Sequence, residues 1–325
     1  MDLDNKFDLG FFPTPLHQLK NLSNKFPSYQ IYIKRDDQTG LASGGNKTRK
    51  LEYLIQKALD EKCDTVITAG AQQSNHCRQT AAACAVAGLE CHLLLGGEEP
   101  KEYNGNLLLS YLLGAKIHFT GENRKGEDIE KLKRNLESDN KKVFVVPYGG
   151  SNLLGSLGYV NAMKELKDQL TEKCLKIDHI FFASSSGATQ AGIMIGMDLF
   201  DVEAELIPIN IDKAETAGFL ENIILDLIHE SKEFFDLKKE YGIDDISLER
   251  NYDQAGYGNL TDNEKEAIKM LAQTEGILLD PVYTGRAFYG MLDYLKKSKI
   301  KPNSNILFWH TGGLPAIFNY GKELN

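Results

Sequence analysis

A lysine that follows two glycines is the first residue of the chain that could do covalent chemistry. Lys47 ends the run GGNK and stands at the start of a predicted helix. The helix N-terminus and the neighbouring cations Arg49 and Lys50 should lower the pKa of its amine, and the neutral amine is the form that attacks a carbonyl compound. The run departs from a Walker phosphate loop, because Asn46 separates the glycines from the lysine. An exposed lysine in a basic helix start is the alternative interpretation.

A second polar turn, AGAQQSNHCR at residues 69–78, joins a predicted strand to a predicted helix. Ser74 stands where a helix N-cap belongs, and capping is the usual role of such a serine. The backbone amides at the same place also suit a carboxylate or a phosphate. We interpret His76 as part of a site lining, because no second residue marks it as an acid or a base.

A third turn, ASSSGATQAG at residues 183–192, again leads from a strand into a helix. Its segment Ser186, Gly187, Ala188 and Thr189 combines hydroxyl groups with a glycine at the helix start. Such a helix N-terminus binds phosphate groups. The turn contains no G-x-G-x-x-G pattern, so a dinucleotide is not indicated. A flexible serine-rich turn is the alternative.

Two late segments have the same character. The run LDPVYTGR contains Tyr283 and Thr284, and the run WHTGGLP contains Thr311. Each places hydroxyl groups and glycine near a predicted strand end or helix start. Each could also be an ordinary turn followed by a capped helix.

Alternating strand and helix patterns supply the elements that must position these turns. Apolar or β-branched runs predict strands, and apolar residues at three- and four-residue spacing predict helices. The alternation predicts an α/β fold with mainly parallel sheets, whose ligand sites lie beyond the carboxyl ends of the strands. The predicted strands are 31–36, 64–70, 90–97, 116–121, 142–150, 178–187, 205–211 and 305–313, and the predicted helices are 50–62, 74–88, 104–113, 126–138, 153–170, 188–200, 261–275 and 285–297.

Length and composition are those of an ordinary folded protein. The 325 residues are 42% hydrophobic and 26% charged, which excludes a disordered chain, and at about 150 residues per domain they suggest two domains. The net charge of −9 gives no footprint for nucleic acid or an anionic membrane, so neither is an expected partner. The five cysteines form no C-x-x-C pair, so no metal site is expected. We expect a cytoplasmic protein, because the cysteines are read as reduced thiols and the sequence shows no leader pattern and no membrane span.

Five of these segments together resemble one family. GGNKTRKLEYL, AGAQQSNHCRQTAAACA, ASSSGATQAG, LDPVYTGRAFYG and FWHTGGLPA are similar to the pyridoxal-phosphate enzymes that include D-cysteine desulfhydrase and 1-aminocyclopropane-1-carboxylate (ACC) deaminase. The resemblance runs from Thr14 to Tyr320. It implies a two-domain tryptophan-synthase-β-like fold with mainly parallel twisted sheets flanked by helices. Residues 1–49 and 160–325 would form the large domain and residues 50–159 the small one. The resemblance also implies a homodimer.

The resemblance also implies roles around pyridoxal 5′-phosphate. Lys47 would attach the cofactor covalently and move the substrate's α-proton. Asn75 would hydrogen-bond the cofactor's phenolic oxygen, and Thr284 would face the pyridine nitrogen. The turn 186–189 together with Lys50 would hold the phosphate.

Further positions match the substrate side of the family's site. Ser74, Asn75 and His76 would present amides to the substrate carboxylate, and Ser74 also matches the family's nucleophile or base in ring opening. Tyr283 and Tyr257, the latter from the segment AGYG, match tyrosines that orient substrate or exchange a proton. For Tyr257 a purely structural role remains an open alternative.

Two threonines bear on the choice of reaction within the family. ACC deaminases carry glutamate and leucine where this chain has Thr284 and Thr311, and both threonines match the D-cysteine desulfhydrase pattern. The expected reaction is α,β-elimination from D-cysteine to pyruvate, hydrogen sulfide and ammonia. ACC deaminase and a lyase for another β-substituted amino acid such as L-cysteate are the alternatives.

Two other classes are weaker interpretations. A non-catalytic binder could keep the fold and sense an amino acid or the cofactor, although the set of Lys47, Asn75 and the 186–189 turn argues against it. A hydrolase based on Ser74 and His76 lacks an acid to orient the histidine, and the chain has no G-x-S-x-G elbow.

Overall fold

Two mainly parallel sheets organise the computed structural model, which describes residues 3–212 and 218–325. One sheet has the strand order β1-β2-β9-β7-β8 and the other the order β5-β4-β3-β6. Only the β1–β2 pair is antiparallel among the strand pairs of the described residues. The strands are β1 (Leu16–Gln18), β2 (Tyr29–Arg35), β3 (Thr65–Ala71), β4 (Glu90–Gly96), β5 (Lys116–Phe119), β6 (Val143–Val145), β7 (His179–Ser184), β8 (Glu205–Asn210) and β9 (Ser304–His310).

Helices alternate with these strands, which confirms the predicted α/β class. No helix in the described ranges is both long and apolar enough to cross a membrane. Short 3₁₀ turns lie at Asp36–Gln38, Tyr148–Gly150, Ile243–Asp245 and Leu314–Tyr320. The helices are α1 (Lys20–Lys25), α2 (Lys47–Asp60), α3 (Asn75–Ala87), α4 (Gly105–Leu112), α5 (Ile129–Ser138), α6 (Leu153–Glu172), α7 (Ala188–Leu199), α8 (Phe219–Phe235), α9 (Asp262–Glu275), α10 (Thr284–Lys296) and α11 (Gly321–Leu324).

The sequence patterns missed one long helix and extended several strands too far, most of all the strand predicted at 142–150. Helix α8 buries Leu220, Ile224 and Leu227 at helical spacing, so its signal is present in the sequence. The strand predicted at 142–150 ends at Val145, because Pro147 follows without an amide hydrogen and Gly149 takes a positive φ of 67°. The chain therefore turns out of the sheet at this point instead of continuing along it.

The centre of the five-stranded sheet is buried on both faces, as parallel sheets are. Strands β2, β9 and β7 contribute fully buried residues such as Ile33, Phe308 and Phe181. The five-stranded sheet takes β1 and β2 from the beginning of the chain and β7 to β9 from its later part, and the four-stranded sheet takes only β3 to β6. The domain bounds given above stay a prediction.

A buried ion network fixes the start of helix α2. Arg49 donates from Nη2 to Asp36 Oδ1 at 2.8 Å and to Glu165 Oε1 at 3.0 Å, and Asp36 is completely buried. Burial acts to raise the pKa of Asp36, but the Arg49 charge and hydrogen bonds outweigh it and lower the pKa to about 2. Removing one partner of such a network typically costs about 3–5 kcal/mol. The network ties the helix that begins at Lys47 to the end of β2 and to α6.

Candidate active site

A single cleft collects the turns that follow β3, β6, β7 and β9, together with the start of α2. The carboxyl ends of these parallel strands meet there, as expected for an α/β fold. Among the predicted site residues, those that line the cleft are Lys47, Ser74, Asn75, His76, Ser186, Gly187, Thr189, Tyr283 and Thr311. Four others do not line it and stand behind these residues: Lys50, Ala188, Tyr257 and Thr284.

The Lys47 amine lies inside the cleft and has one hydrogen-bond acceptor. Its Nζ donates to the carbonyl oxygen of Gly149 at 3.0 Å. Burial lowers the pKa of Lys47 to about 8. The neighbouring Arg49 is not the cause, because its guanidinium faces Asp36 and Glu165 on the other side of the helix. The sequence thus predicts the direction of the shift but not its cause, because the contact with Lys50 acts to raise the pKa and burial is what lowers it.

Lys50 shares the same acceptor one helical turn further on. Its Nζ lies 3.3 Å from Gly149 O, and its side chain is fully buried. Burial, and then the charge of Lys47, lowers the pKa of Lys50 well below the usual range. Two buried amines around one carbonyl leave positive charge without a carboxylate partner. An anion bound beside them would compensate that charge.

The serine-rich turn offers such an anion a helix N-terminus. Helix α7 begins after Gly187, whose φ of 96° and ψ of −50° favour glycine, and no side chain caps the helix. Ser186 Oγ accepts a hydrogen bond from Ser151 Oγ at 2.7 Å. A Cβ on Gly149 would lie 2.5 Å from Ser186 Oγ and 3.5 Å from Lys47 Nζ, so the turn and the lysine meet at this glycine. Uncapped amides and hydroxyls facing a cleft form a phosphate site.

Ser74 and His76 occupy the cleft wall without forming a nucleophile and base pair. Ser74 Oγ accepts from Cys77 N at 3.2 Å, and Ser74 N donates to Ala71 O at 2.9 Å, so its own amide is already used. His76 Nε2 lies 2.8 Å from Thr68 Oγ1, and its buried Nδ1 has no partner in the described structure. Burial, followed by the charges of Lys47 and Lys50, lowers the pKa of His76 well below its usual value. The hydrolase interpretation therefore finds no support in this geometry.

A cluster of phenols closes one side of the cleft. Tyr283 Oη and Tyr257 Oη lie 2.7 Å apart, which joins the two predicted tyrosines. Sequence reasoning missed Tyr148, which lines the cleft, and Arg124, whose guanidinium lies 4.7 Å from the Tyr257 ring centroid. Arg124 also pairs with Asp212 at 3.1 Å. Tyr148 lies inside the strand predicted at 142–150, where the adjacent Pro147 and Gly149 are the signal of a turn, whereas the loop around Arg124 carries no local signal.

The two diagnostic threonines occupy different layers. Thr311 lines the cleft, and its carbonyl oxygen accepts from Asn46 N at 2.9 Å. Thr284 is fully buried and donates from Oγ1 to Asp280 Oδ1 at 2.7 Å. Its predicted contact with the pyridine nitrogen remains a prediction.

A buried amine of lowered pKa beside an uncapped helix N-terminus, at the strand ends of an α/β fold, suits the way in which pyridoxal-phosphate enzymes hold their cofactor. The chain belongs to this family: the model described as pyridoxal-phosphate dependent enzyme matches residues 7–312. It is 41% identical over 318 residues to the D-cysteine desulfhydrase of Klebsiella pneumoniae (strain 342), covering 96% of this chain and 95% of the relative.

Solved structures show the same likeness. A crystal structure of an ACC deaminase homologue superposes with a TM-score of 0.89 at 36% identity and covers 98% of this chain and 95% of its own. A hydrogen sulfide-producing enzyme from Fusobacterium nucleatum superposes with a TM-score of 0.64 at 20% identity, covering 94% of each chain, which supports the fold alone.

The residues present fit the family's cofactor. The amine of Lys47 can attach an aldehyde, and the lowered pKa increases its neutral fraction. The α7 N-terminus with Ser186 and Thr189 suits the phosphate, and Lys50 lies close enough to Gly149 to add positive charge at that end. The cleft side of Asn75 can donate hydrogen bonds to a ring oxygen.

Proposed function

We propose that the protein is a lyase that converts D-cysteine and water into pyruvate, hydrogen sulfide and ammonia. The buried Lys47 amine opposite the uncapped α7 N-terminus is the observation that carries the enzyme class. The substrate rests on the 41% identical relative named as D-cysteine desulfhydrase and on the threonines at positions 284 and 311.

The cofactor, when bound, supplies an electron sink for negative charge at the substrate's α-carbon. Lys47 is the base in the cleft that accepts the α-proton, and the pKa of about 8 lets its amine exchange a proton near neutrality. The Cβ–S bond then breaks and its electron pair leaves on sulfur. The remaining unsaturated amine hydrolyses to pyruvate and ammonia.

The start of α3 binds the substrate carboxylate in this proposal. The backbone amides of Asn75 and His76 have no acceptor in the described structure, and the helix N-terminus favours negative charge. Ser74 contributes its hydroxyl group rather than its amide, because the amide already donates to Ala71 O. Neutral His76 lines the site without adding a charge.

The tyrosine pair orients the substrate and supplies a neutral donor. Burial raises the pKa of Tyr283 and of Tyr257, so both phenols keep their protons at neutral pH. Because their oxygens lie 2.7 Å apart, Tyr257 fixes the direction of the Tyr283 hydroxyl. This gives Tyr257 a positioning role besides its packing.

The test is sulfide release from D-cysteine by the protein reconstituted with pyridoxal phosphate, against a Lys47→Ala control. Release that depends on Lys47 and that is matched by pyruvate formation supports the proposal. Cofactor binding without sulfide release would overturn the D-cysteine assignment and leave the cofactor site intact. L-Cysteate should then be tried, with sulfite as the measured product.

ACC deaminase is the second candidate, favoured by the structural likeness to an ACC deaminase homologue. Neutral Thr284 supplies no negative charge of its own for a pyridine nitrogen, which weakens the electron sink that ring opening requires. Thr284→Glu together with Thr311→Leu should raise turnover of ACC relative to D-cysteine. The new glutamate would lie beside buried Asp280, so unfolding must be measured in the same variant.

We also propose a homodimer. Exposed apolar residues on α4 lie next to the 3₁₀ turn at 314–320, where Asn104 Nδ2 donates to Phe318 O at 3.0 Å. Tyr111, Leu112 and Phe318 are 59%, 68% and 66% exposed. Exposed apolar residues that lie together on a surface mark interaction sites, whereas isolated ones are common and need no explanation. Light scattering over a range of concentrations tests this, and a monomer at all concentrations contradicts it.

A cytoplasmic location is proposed with it. All five cysteines are free thiols, which suits a reducing compartment. Fractionation of cells followed by immunodetection would place the protein.

A further inference from the structure

The side chain of Asn75 is held in one orientation by two residues that do not line the cleft. Its Oδ1 accepts from Asn106 Nδ2 at 2.8 Å and from Arg78 Nη1 at 3.3 Å. Its Nδ2 has no protein acceptor in the described structure and lies on the cleft side, where a Cβ on Gly313 would come within 2.9 Å of it. The donor end of the amide therefore faces the cleft.

This orientation follows from groups whose roles cannot be exchanged. The carbonyl oxygen of Gln73 can only accept, so the atom of Asn106 that lies 2.9 Å from it is the amide nitrogen. Arg78 can only donate, so the atom of Asn106 that lies 2.7 Å from Nη1 is the oxygen. Turning the Asn75 amide would bring its nitrogen against two donors and remove both hydrogen bonds, at about 1–3 kcal/mol for each group left unpaired.

Arg78 adds a charge to this arrangement. It is fully buried, and it donates to Gly44 O at 2.5 Å and to the two asparagines, and none of its hydrogen bonds among the described residues goes to a carboxylate. Burial lowers the pKa of Arg78 to about 9, and Asp280 acts in the opposite direction from a greater distance. Asp280 lies near the donor end of the Asn75 amide, because a Cβ on Gly313 would be 2.7 Å from Asp280 Cγ and 2.9 Å from Asn75 Nδ2. The basic groups nearby are Lys47 and Lys50.

We propose that Arg78 and Asn106 are positioning residues that lock Asn75 as a hydrogen-bond donor, so that the cleft favours the ionised form of the cofactor's ring oxygen. An amide locked in this way donates a hydrogen bond to an anionic oxygen and cannot accept a hydrogen bond from a neutral hydroxyl group. The inference rests on the cofactor of the family and is independent of D-cysteine as the substrate.

The decisive variant is Asn106→Asp, which keeps the size of the side chain and its acceptor for Arg78. The carboxylate oxygen that replaces Asn106 Nδ2 would face two acceptors, Asn75 Oδ1 and Gln73 O. To avoid this repulsion the Asn75 amide would turn, so that its nitrogen donates to the new carboxylate and its oxygen faces the cleft. With pyridoxal phosphate bound and no substrate, the ratio of the ionised to the neutral ring-oxygen absorption band at one neutral pH should fall about tenfold. The dissociation constant of the cofactor should rise by a similar factor.

Ser110→Ala is the matched control on the same helix. Ser110 Oγ donates to Asn106 O at 2.9 Å, so this change removes a buried hydrogen bond near Asn106 and leaves its side chain in place. The control should lower the melting temperature without changing the absorption ratio. Asn106→Ala, which removes one donor to Asn75 and adds no charge, should give an intermediate ratio and replaces the first variant if that variant does not fold.

A folded Asn106→Asp or Asn106→Ala protein with the wild-type absorption ratio and cofactor affinity would overturn the proposal. A loss of melting temperature alone, equal to that of Ser110→Ala, would show that the network only supports the fold. Because no substrate is present, a failed D-cysteine assay does not alter either reading.

Discussion

Lys47 and Lys50 differ in position relative to the cleft although both donate to the oxygen of Gly149. Lys47 lines the cleft, whereas Lys50 is fully buried behind it. Burial is the first cause of the lowered pKa in both, so the shift reflects the depth of the site more than the basic sequence around it. A lysine on an exposed helix start would keep an ordinary pKa.

The pH dependence of cofactor uptake should report the Lys47 amine. Below its pKa of about 8 the neutral fraction rises about tenfold for each pH unit, and above that pH it is nearly constant. The rate at which the apoprotein takes up pyridoxal phosphate should therefore rise with pH and level off near pH 8. Stopped-flow absorbance measures this rate.

Lys47→Ala serves as the control and should show no saturable uptake. An uptake rate in the wild type that still climbs steeply toward the usual lysine pKa of 10.5 would contradict the burial argument.

Sequence reasoning reached the residues that sit in turns directly after a strand. Ser74, Gly187 and Thr311 were predicted in this way, because parallel strands bring their carboxyl ends to one edge. It did not reach Asn106 or Arg124, since each acts through a contact with a distant element that local pattern does not encode. The same limit explains why the sequence pattern gives no sign of Asp280, which accepts a hydrogen bond from the Thr284 hydroxyl group.

At the scale of elements, the start of α7 depends on a glycine for two reasons. Gly187 has a φ of 96°, and a Cβ there would lie 2.9 Å from Ile223 Cγ2 in α8. Gly276, at the end of α9, also has a positive φ, of 67°, but a Cβ there would meet no atom within 4 Å. A positive φ is common to both positions, whereas crowding of a Cβ occurs at Gly187 and not at Gly276.

Gly187→Ala should destabilise the protein more than Gly276→Ala, which should lose about 1 kcal/mol. Only Gly187→Ala should weaken cofactor binding, by about tenfold or more, because the amides of the α7 N-terminus would move. Urea unfolding and a cofactor titration of both variants measure these effects. Equal losses of affinity in the two variants would remove the α7 turn from the phosphate site.

Strand and helix patterns predicted most elements within a few residues, and the exceptions have local causes. The β6 strand is short because Pro147 and Gly149 turn the chain, which places Tyr148 in the cleft. Helix α8 was missed although its apolar spacing is regular, and it is the element that crowds Gly187. Helices α3 and α7, which begin at the site, were predicted to within one residue, so the largest errors near the site are those at β6 and α8.

At the scale of the whole molecule, one ion pair joins the loop after β5 to the chain segment after β8. Arg124 and Asp212 are 3.1 Å apart, and their side chains are 29% and 26% exposed to solvent. Because β5 and β8 belong to different sheets, the pair links the two sheets at the protein surface. Arg124 also covers the Tyr257 ring. An ion pair this exposed contributes at most about 1 kcal/mol to stability.

Arg124→Met should therefore change substrate binding more than folding. We expect the KM for the substrate to rise about fivefold, because the side chain that closes over Tyr257 is lost, while the melting temperature stays close to that of the wild type. Steady-state kinetics and thermal unfolding measure the two effects. Arg134→Met, on the exposed face of α5, is the matched control and should change neither.

An unaltered KM in Arg124→Met would leave this loop without a part in substrate binding. Asp212→Asn offers a second route to the same answer, because it should release Arg124 and reproduce the rise in KM.

The position of β9 sets the order in which the protein can be completed during synthesis. β9 is the last strand of the described chain, yet it lies between β2 and β7 in the middle of its sheet, and the residue that follows it holds Asn46 beside Lys47. The four-stranded sheet closes over local connections and can form while the ribosome is still translating, but the larger sheet must wait for a strand made some 270 residues after β2. A chain whose synthesis stops before β9 therefore cannot assemble the lysine pocket, and cofactor capture has to wait until that strand has been made.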